Sequence, residues 1–388
     1  MKVFLIAGAR PNFMKIAPIV RALRARNEVE KVGSYEAKTL FSNQRNQRNN
    51  TNQINYKIIH TGQHYDREMS EAFFDDLEIP KPAYHLEAGS GTHAEQTAKI
   101  MIAFEKVCEQ EKPDIVVVVG DVNSTLACSI VAKKALIKVA HVEAGLRSFD
   151  LTMPEEINRM VTDAITDYFF VTEESGVQNL IREGKPAEQV HFVGHVMIDN
   201  LFHQLEKQKR IDPTGLSVYD LKKNNERYAF LTLHRPSNVD NRETFQDIVD
   251  ALNEISKDLP IFFPVHPRTN KQLNLLPFTF YLSPSIHLLP PLNFTESLFL
   301  WKDAEVVLTD SGGLQEETTA LGVPCVTIRD NTERPITVSL GTNVLAGTKK
   351  EGILDAYRQC FAKAKTASVP PLWDGKAAER IVEILVKQ

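Results

Sequence analysis

The chain is punctuated by short, unbroken apolar runs. VFLIA (3–7), IVVVV (115–119), YFFVT (168–172) and VHFVG (190–194) are followed by YAFLTL (228–233), IFFPV (261–265), EVVLT (305–309) and CVTI (325–328). A strand with no polar alternation must be covered on both faces, and that is the habit of parallel sheets sandwiched by helices. Segments such as PIVRALRARNEV and AEQTAKIMIAFEKVCEQ, with apolar residues at helical spacing, lie between the runs. The alternation predicts an α/β protein. One series of runs ends near Gly194 and a second begins at Tyr228, after the charged stretch KQKRIDPTGLSVYDLKKNNER. With 388 residues, two doubly wound domains with a central cleft are expected. AAERIVEILVKQ closes the chain as an amphipathic terminal helix.

Charge and cysteine content narrow the function classes. Lys and Arg number 45 against 50 Asp and Glu, a net charge of −5, so no nucleic-acid partner is expected. Cys108, Cys128, Cys325 and Cys360 are not at CxxC spacing, which argues against a zinc or redox motif and for buried thiols in a reducing cytosol. No apolar run reaches the ~18 residues of a membrane span, and the first run is too short for a signal peptide. A cytoplasmic protein is the expectation. The segment KTLFSNQRNQRNNTNQINYK (38–57), rich in Asn and Gln, reads as a surface loop.

The residues that carry chemistry gather at strand ends, where ligands sit in open α/β sheets. Arg10 and Lys15 follow the first run. Asp121 follows IVVVV, where it suits either a cleft edge or a helix N-cap equally. HVEAGLRSFD and MPEEINRMVTD then crowd His141, Glu143, Arg147, Glu155, Glu156 and Arg159 into one stretch. Several acids with cations beside them suit proton transfer; surface ion pairs are the competing reading. His234 and His266 each follow a strand of the second series. In LTDSGGLQEE a strand ends, Ser311-Gly312-Gly313 turns and a helix begins, so free N–H groups there would take a phosphate. Glu316 and Glu317 are expected in that helix's first turn, one of them accepting from sugar hydroxyls. Neither a dinucleotide fingerprint nor a Walker pattern is present, and HExxH is absent. No nicotinamide cofactor and no metal are therefore expected.

Together the motifs GARPNFMKIAPI, TGQHYDREM, GDVNSTLA, HVEAGLRSFDLTMPEEINR, VGHVMIDNL, LTLHRPSN, PVHPRT, LTDSGGLQEE and RDNTERP run nearly the length of the chain. In that order they resemble the non-hydrolysing UDP-N-acetylglucosamine 2-epimerases. The resemblance implies two Rossmann-like domains of glycosyltransferase-B type, at 1–194 and 195–366, with 367–388 packing back on the first. It implies catalytic roles for Asp121, Glu143, Glu155 and His234. Arg10, Lys15, His234, Ser311, Gly312, Gly313, Glu317 and Arg334 would bind the UDP-sugar. Gln63, His64 and Arg67 would belong to an allosteric site for a second substrate molecule. A homodimer without cofactor, serving polysaccharide biosynthesis, is implied as well. The implied reaction is reversible C2 epimerisation through a 2-acetamidoglucal. A hydrolysing epimerase, a UDP-2,3-diacetamido-glucuronate 2-epimerase and a glycosyltransferase of the same architecture are the alternatives, and a nucleotide-sugar sensor is the non-enzymatic one.

Overall fold

The computed structural model describes residues 1–40, 53–62, 71–275 and 281–387. They form two compact units: Met1–Asn200 with Asp374–Gln388, and Leu201–Trp373.

The first unit is built on a seven-stranded sheet of β1 (Lys2–Ala7), β2 (Asn55–His60), β3 (Tyr84–His85), β4 (Ile115–Val119), β5 (Lys138–Val142), β6 (Tyr168–Val171) and β7 (Val190–Phe192). Their order is β3-β2-β1-β4-β5-β6-β7, every pair parallel. The order reverses between β1 and β4, the switch point where such sheets open a crevice. Phe13, Ile16, Val20 and Leu23 of the helix Arg10–Leu40 cover one face with Val117 and Val142. Ile100, Phe104, Ala127 and Val131 cover the other, with Phe4 and Val118. That two-sided cover is why the runs carry no polar alternation.

Helix starts follow the local sequence. The helix His93–Glu111 opens on a capping box in which Thr92 and Glu95 satisfy each other's backbone N–H groups. Pro154, Pro236, Pro267 and Pro335 each stand at a first helical position, where a missing N–H costs nothing. The last helix, Ala377–Val386, buries Ile381, Val382 and Leu385 in the core that holds Ile16 and Val20. Asp199 receives its first N–H groups, Ala377 N at 3.1 Å and Ala378 N at 2.6 Å.

The second unit repeats the plan with six parallel strands: β8 (Ala229–Thr232), β9 (Ile261–Pro264), β10 (Ile286–Leu289), β11 (Val306–Thr309), β12 (Cys325–Thr327) and β13 (Asn343–Leu345). Their order is β10-β9-β8-β11-β12-β13, so the switch point lies between β8 and β11. Among the described residues no helix is long and apolar enough to cross a membrane.

Candidate active site

In the first unit the ends of β1, β4 and β5 bring the predicted residues together. Asn12 fixes the turn after β1: its Oδ1 accepts from Gly8 N and Ala9 N, and its Nδ2 donates to Val119 O. This seats the helix that carries Arg10, which is exposed, and Lys15. Lys15 Nζ lies 2.6 Å from Glu143 Oε2, and the Glu143 side chain is nearly buried. Gly120, at φ +68°, lies beneath this pair; a Cβ there would stand 2.8 Å from Lys15 Nζ. A side chain at 120 would displace the lysine. Glu143 itself has φ 72°, a left-handed conformation that costs a non-glycine residue about 1–2 kcal/mol. Such strain aims a side chain where an ordinary strand continuation would not.

Asp121 is not a helix cap. Val122 holds the N-cap position of the next helix, Asn123–Lys134, and Asp121 pairs with Arg159 at 2.5 Å. Arg159 also meets Glu156 at 2.8 Å, and Glu156 accepts from Ser148 N and Phe149 N. Burial pushes the Glu156 carboxyl up, but these backbone donors and Arg159 hold it below its usual range. The cluster is thus a set of buried or half-buried ion pairs rather than the surface pairs that were the competing reading. Glu155, the third predicted acid, is exposed on the first turn of the helix Pro154–Ile165, and Glu156 is the buried member of the pair.

In the second unit a pocket of about 410 Å³ is lined by the ends of β8, β9 and β11. His234, Ser311, Gly313 and Glu317 border it together with His266, Phe294 and Trp301. Ser311 is the N-cap of the helix Gly312–Leu321 and makes no side-chain cap bond. Nothing lies within 4 Å of where a Cβ would stand on Gly312 or Gly313. The first N–H groups of this helix are therefore open to an anion, with the helix dipole favouring negative charge. Glu316 and Glu317 fall beyond the first turn, contrary to expectation. Glu316 pairs with Arg334 Nε at 2.5 Å. Burial, then the neighbouring Glu316, pushes the Glu317 carboxyl up to about 8. A protonated carboxyl can both donate to and accept from a hydroxyl pair.

His234 is oriented by Asp310, a fully buried residue that the sequence reading did not single out. The Asp310 carboxylate accepts from His234 N at 2.9 Å and Arg235 N at 2.8 Å, and its Oδ1 lies 2.8 Å from His234 Nδ1. Burial pushes Asp310 up, but these donors hold it below the usual carboxylate range. A carboxylate acceptor calls for the proton on Nδ1. His266 N-caps the helix Pro267–Asn274 through Nδ1, and burial together with His234 and Arg268 pushes its ring down. Gln63, His64 and Arg67 lie outside the described residues, as does most of the Asn/Gln-rich segment. Among the described residues no group of three or more His, Cys, Asp or Glu side chains is placed to hold a metal ion.

The profile of the family described as UDP-N-acetylglucosamine 2-epimerase matches residues 46–386. The chain belongs to this family. It is 43% identical over 392 residues to the UDP-N-acetylglucosamine 2-epimerase of Methanocaldococcus jannaschii, covering 99% of each chain. A crystal structure of the M. jannaschii UDP-GlcNAc 2-epimerase in complex with UDP-GlcNAc and UDP is similar at a TM-score of 0.81 and 42% identity, with both chains fully covered. The UDP-2,3-diacetamido-2,3-dideoxy-D-glucuronate 2-epimerase of Pseudomonas aeruginosa is 37% identical, with both chains fully covered. The two Rossmann-like units and the glycosyltransferase-B type of fold agree with the expectation from sequence.

Asn12 and Asp310 escaped the sequence reading. Each acts on backbone or on another side chain, and only proximity across the fold reveals that. Asp310 stood inside the quoted motif LTDSGG, directly after β11, and its strand-end position was the available signal.

Proposed function

We propose that this protein interconverts UDP-N-acetylglucosamine and UDP-N-acetylmannosamine by inverting C2. The observation that carries the proposal is the pocket bordered by His234, the open helix start Ser311–Gly313 and Glu317, in a chain of this family. It is suited to a diphosphate at the helix N–H groups and a ribose at Glu317, with Phe294 offering a face to the base.

C2 of the sugar bears a hydrogen that no neighbouring carbonyl acidifies. Departure of UDP supplies the acidity. The C1–O bond breaks with its electron pair leaving on the phosphate oxygen. A carboxylate takes the C2 proton, and the C2–H electrons close the C1=C2 double bond of 2-acetamidoglucal. Re-addition reverses the electron flow: the phosphate oxygen bonds C1 and a proton arrives on the opposite face of C2. Donors aimed at the leaving phosphate act where charge develops, and each such donor is worth roughly 2.7–4 kcal/mol of barrier. Arg10, Lys15 and the helix start are assigned that role, and Arg334 is assigned to the site through Glu316. Two faces require two proton-transfer groups, or one that moves, and they are drawn from Asp121, Glu143 and Glu155. Asp121 and Glu143 are supported by their positions at neighbouring strand ends, each against a cation.

Incubation with UDP-GlcNAc in deuterated water tests the scheme. UDP-ManNAc carrying deuterium at C2 is expected. Free ManNAc with UDP would mean a hydrolysing enzyme, and product without deuterium would contradict proton abstraction. Turnover of the diacetamido-glucuronate nucleotide in preference to UDP-GlcNAc would select that substrate. The protein is further inferred to be cytoplasmic and homodimeric. Exposed Ile157, Met160 and Val161 on one stripe of the helix Pro154–Ile165, beside exposed Phe149 and Leu151, support a second copy there. Sedimentation of Met160→Glu, expected as a monomer, tests this.

A further inference from the structure

His141 sits on β5, fully buried, two residues before Glu143. Its Nε2 lies 2.8 Å from Gly120 O, and its Nδ1 lies 2.7 Å from Asp163 Oδ1. A carbonyl oxygen only accepts, so Nε2 carries a proton. Asp163, on the helix Pro154–Ile165, is also fully buried. Its Oδ2 already accepts from Gly145 N at 3.1 Å and Arg147 Nη1 at 2.8 Å. Burial pushes the Asp163 carboxyl up, but His141 and Arg147 hold it below its usual range. A carboxylate so engaged leaves Oδ1 as an acceptor, and Nδ1 must donate to it.

We propose that His141 is a positioning residue, held with both ring nitrogens protonated, that fixes the Gly120–Asp121 turn by gripping the Gly120 carbonyl. The inference rests on the proposed function, because its consequence runs through Asp121 and Glu143. The surrounding charges are consistent with it. Asp163 faces the ring from the helix Pro154–Ile165. Arg147, from the loop after β5, engages Asp163 and in turn makes a bidentate pair with Glu183. Lys15 and Glu143 pair beside Gly120, and Asp121 is held by Arg159. The grip matters because Gly120 is the residue against which Lys15 packs, and its carbonyl precedes Asp121. Moving this peptide moves both a proton-transfer acid and the cation that aligns the other. A shift of about 1 Å at such a distance from the chemistry can cost on the order of 100-fold in rate.

Two variants and one spectrum test it. The amide nitrogen of Asn occupies the place of Nδ1 and that of Gln the place of Nε2. His141→Asn keeps the bond to Asp163 and loses the grip on Gly120; His141→Gln keeps the grip. With wild-type epimerase activity as reference, His141→Asn should lower kcat about 10- to 100-fold with KM for UDP-GlcNAc changed little, and His141→Gln should recover most of the loss. Equal losses in the two variants, or a loss confined to KM, would overturn the proposal. Nitrogen-15 spectra of histidine-labelled wild-type protein at pH 7 give an answer that needs no variant to fold. Both His141 nitrogens should resonate as protonated; an unprotonated Nδ1 would overturn the assignment. A wild-type protein without epimerase activity would instead count against the proposed function, and the spectrum would still decide the state of the ring.

Discussion

At the residue scale, two buried carboxyls of the second unit are driven in opposite directions, and each makes a distinct prediction. Glu317 holds its proton up to about 8, against 4.5 for an ordinary glutamate. The folded state therefore binds that proton more tightly than the unfolded chain does. Its stabilising contribution is complete below pH 4.5 and is lost as pH rises through about 8. Glu317→Gln mimics the protonated form without titrating. Melting temperatures between about pH 5 and pH 8 should fall in the wild type relative to this variant; parallel curves would count against the assignment. Asp310 is held low by the donors it faces, so it accepts where an asparagine would present an NH₂ group. In Asp310→Asn the amide oxygen can keep the turn at His234 and Arg235, while its nitrogen donates to His234 Nδ1 and forces the other tautomer. UDP affinity by calorimetry should change little, and turnover should drop about a hundredfold or more, as when the carboxylate behind a catalytic histidine is replaced by its amide.

At the scale of elements, the helix Gly312–Leu321 begins with two glycines that no packing constraint requires, since a Cβ on either would meet no protein atom within 4 Å. Glycine inside a helix costs roughly 0.5–1 kcal/mol relative to alanine. Gly313→Ala should therefore raise the melting temperature while weakening UDP binding, because the methyl group stands where the diphosphate is assigned. A variant that binds UDP as tightly as the wild type would dissociate the glycines from that role. The helix Ala377–Val386 offers the converse test. Asp199→Ala removes the acceptor of its first two N–H groups, at a cost of about 0.5–2 kcal/mol. Hydrogen exchange in this helix should accelerate while exchange in β8–β13 stays unchanged. Much of this architecture was legible in the chain, because each strand covered by helices on two faces must be apolar throughout. β5 (KVAHV) carries no such run: it includes Lys138 and the buried His141, whose partners stand at 120 and 163. β3 has two residues and β13 three, and β3, β10 and β13 all lie at sheet edges. Arg10, Lys15, Asp121, Glu143, His234 and the Ser311 turn were readable because they follow strands. The partners Asn12 and Asp163 were not, since spacing along the chain says nothing of an acceptor meeting a ring across a sheet; Asp310 follows β11 and shared the strand-end signal, but its hold on His234 did not show in the chain.

At the scale of the whole molecule, two units of the same plan carry different chemistry at equivalent places. In Met1–Asn200 with Asp374–Gln388 the switch point between β1 and β4 gathers acids, each paired with a cation. In Leu201–Trp373 the switch point between β8 and β11 gathers an open helix start, a fixed histidine and a neutral carboxyl. We assign proton transfer at C2 to the first set, and to the second the nucleotide together with its departing phosphate, on which His234 acts; the central claim is that the C1–O bond of the sugar nucleotide breaks and re-forms on the enzyme. UDP-GlcNAc labelled with oxygen-18 in the bridge between C1 and phosphorus tests this most directly. Nuclear magnetic resonance of the recovered nucleotide sugar should show the label spread from the bridge to non-bridging oxygens of the same phosphate. Epimerised product with the label wholly retained in the bridge would contradict the claim.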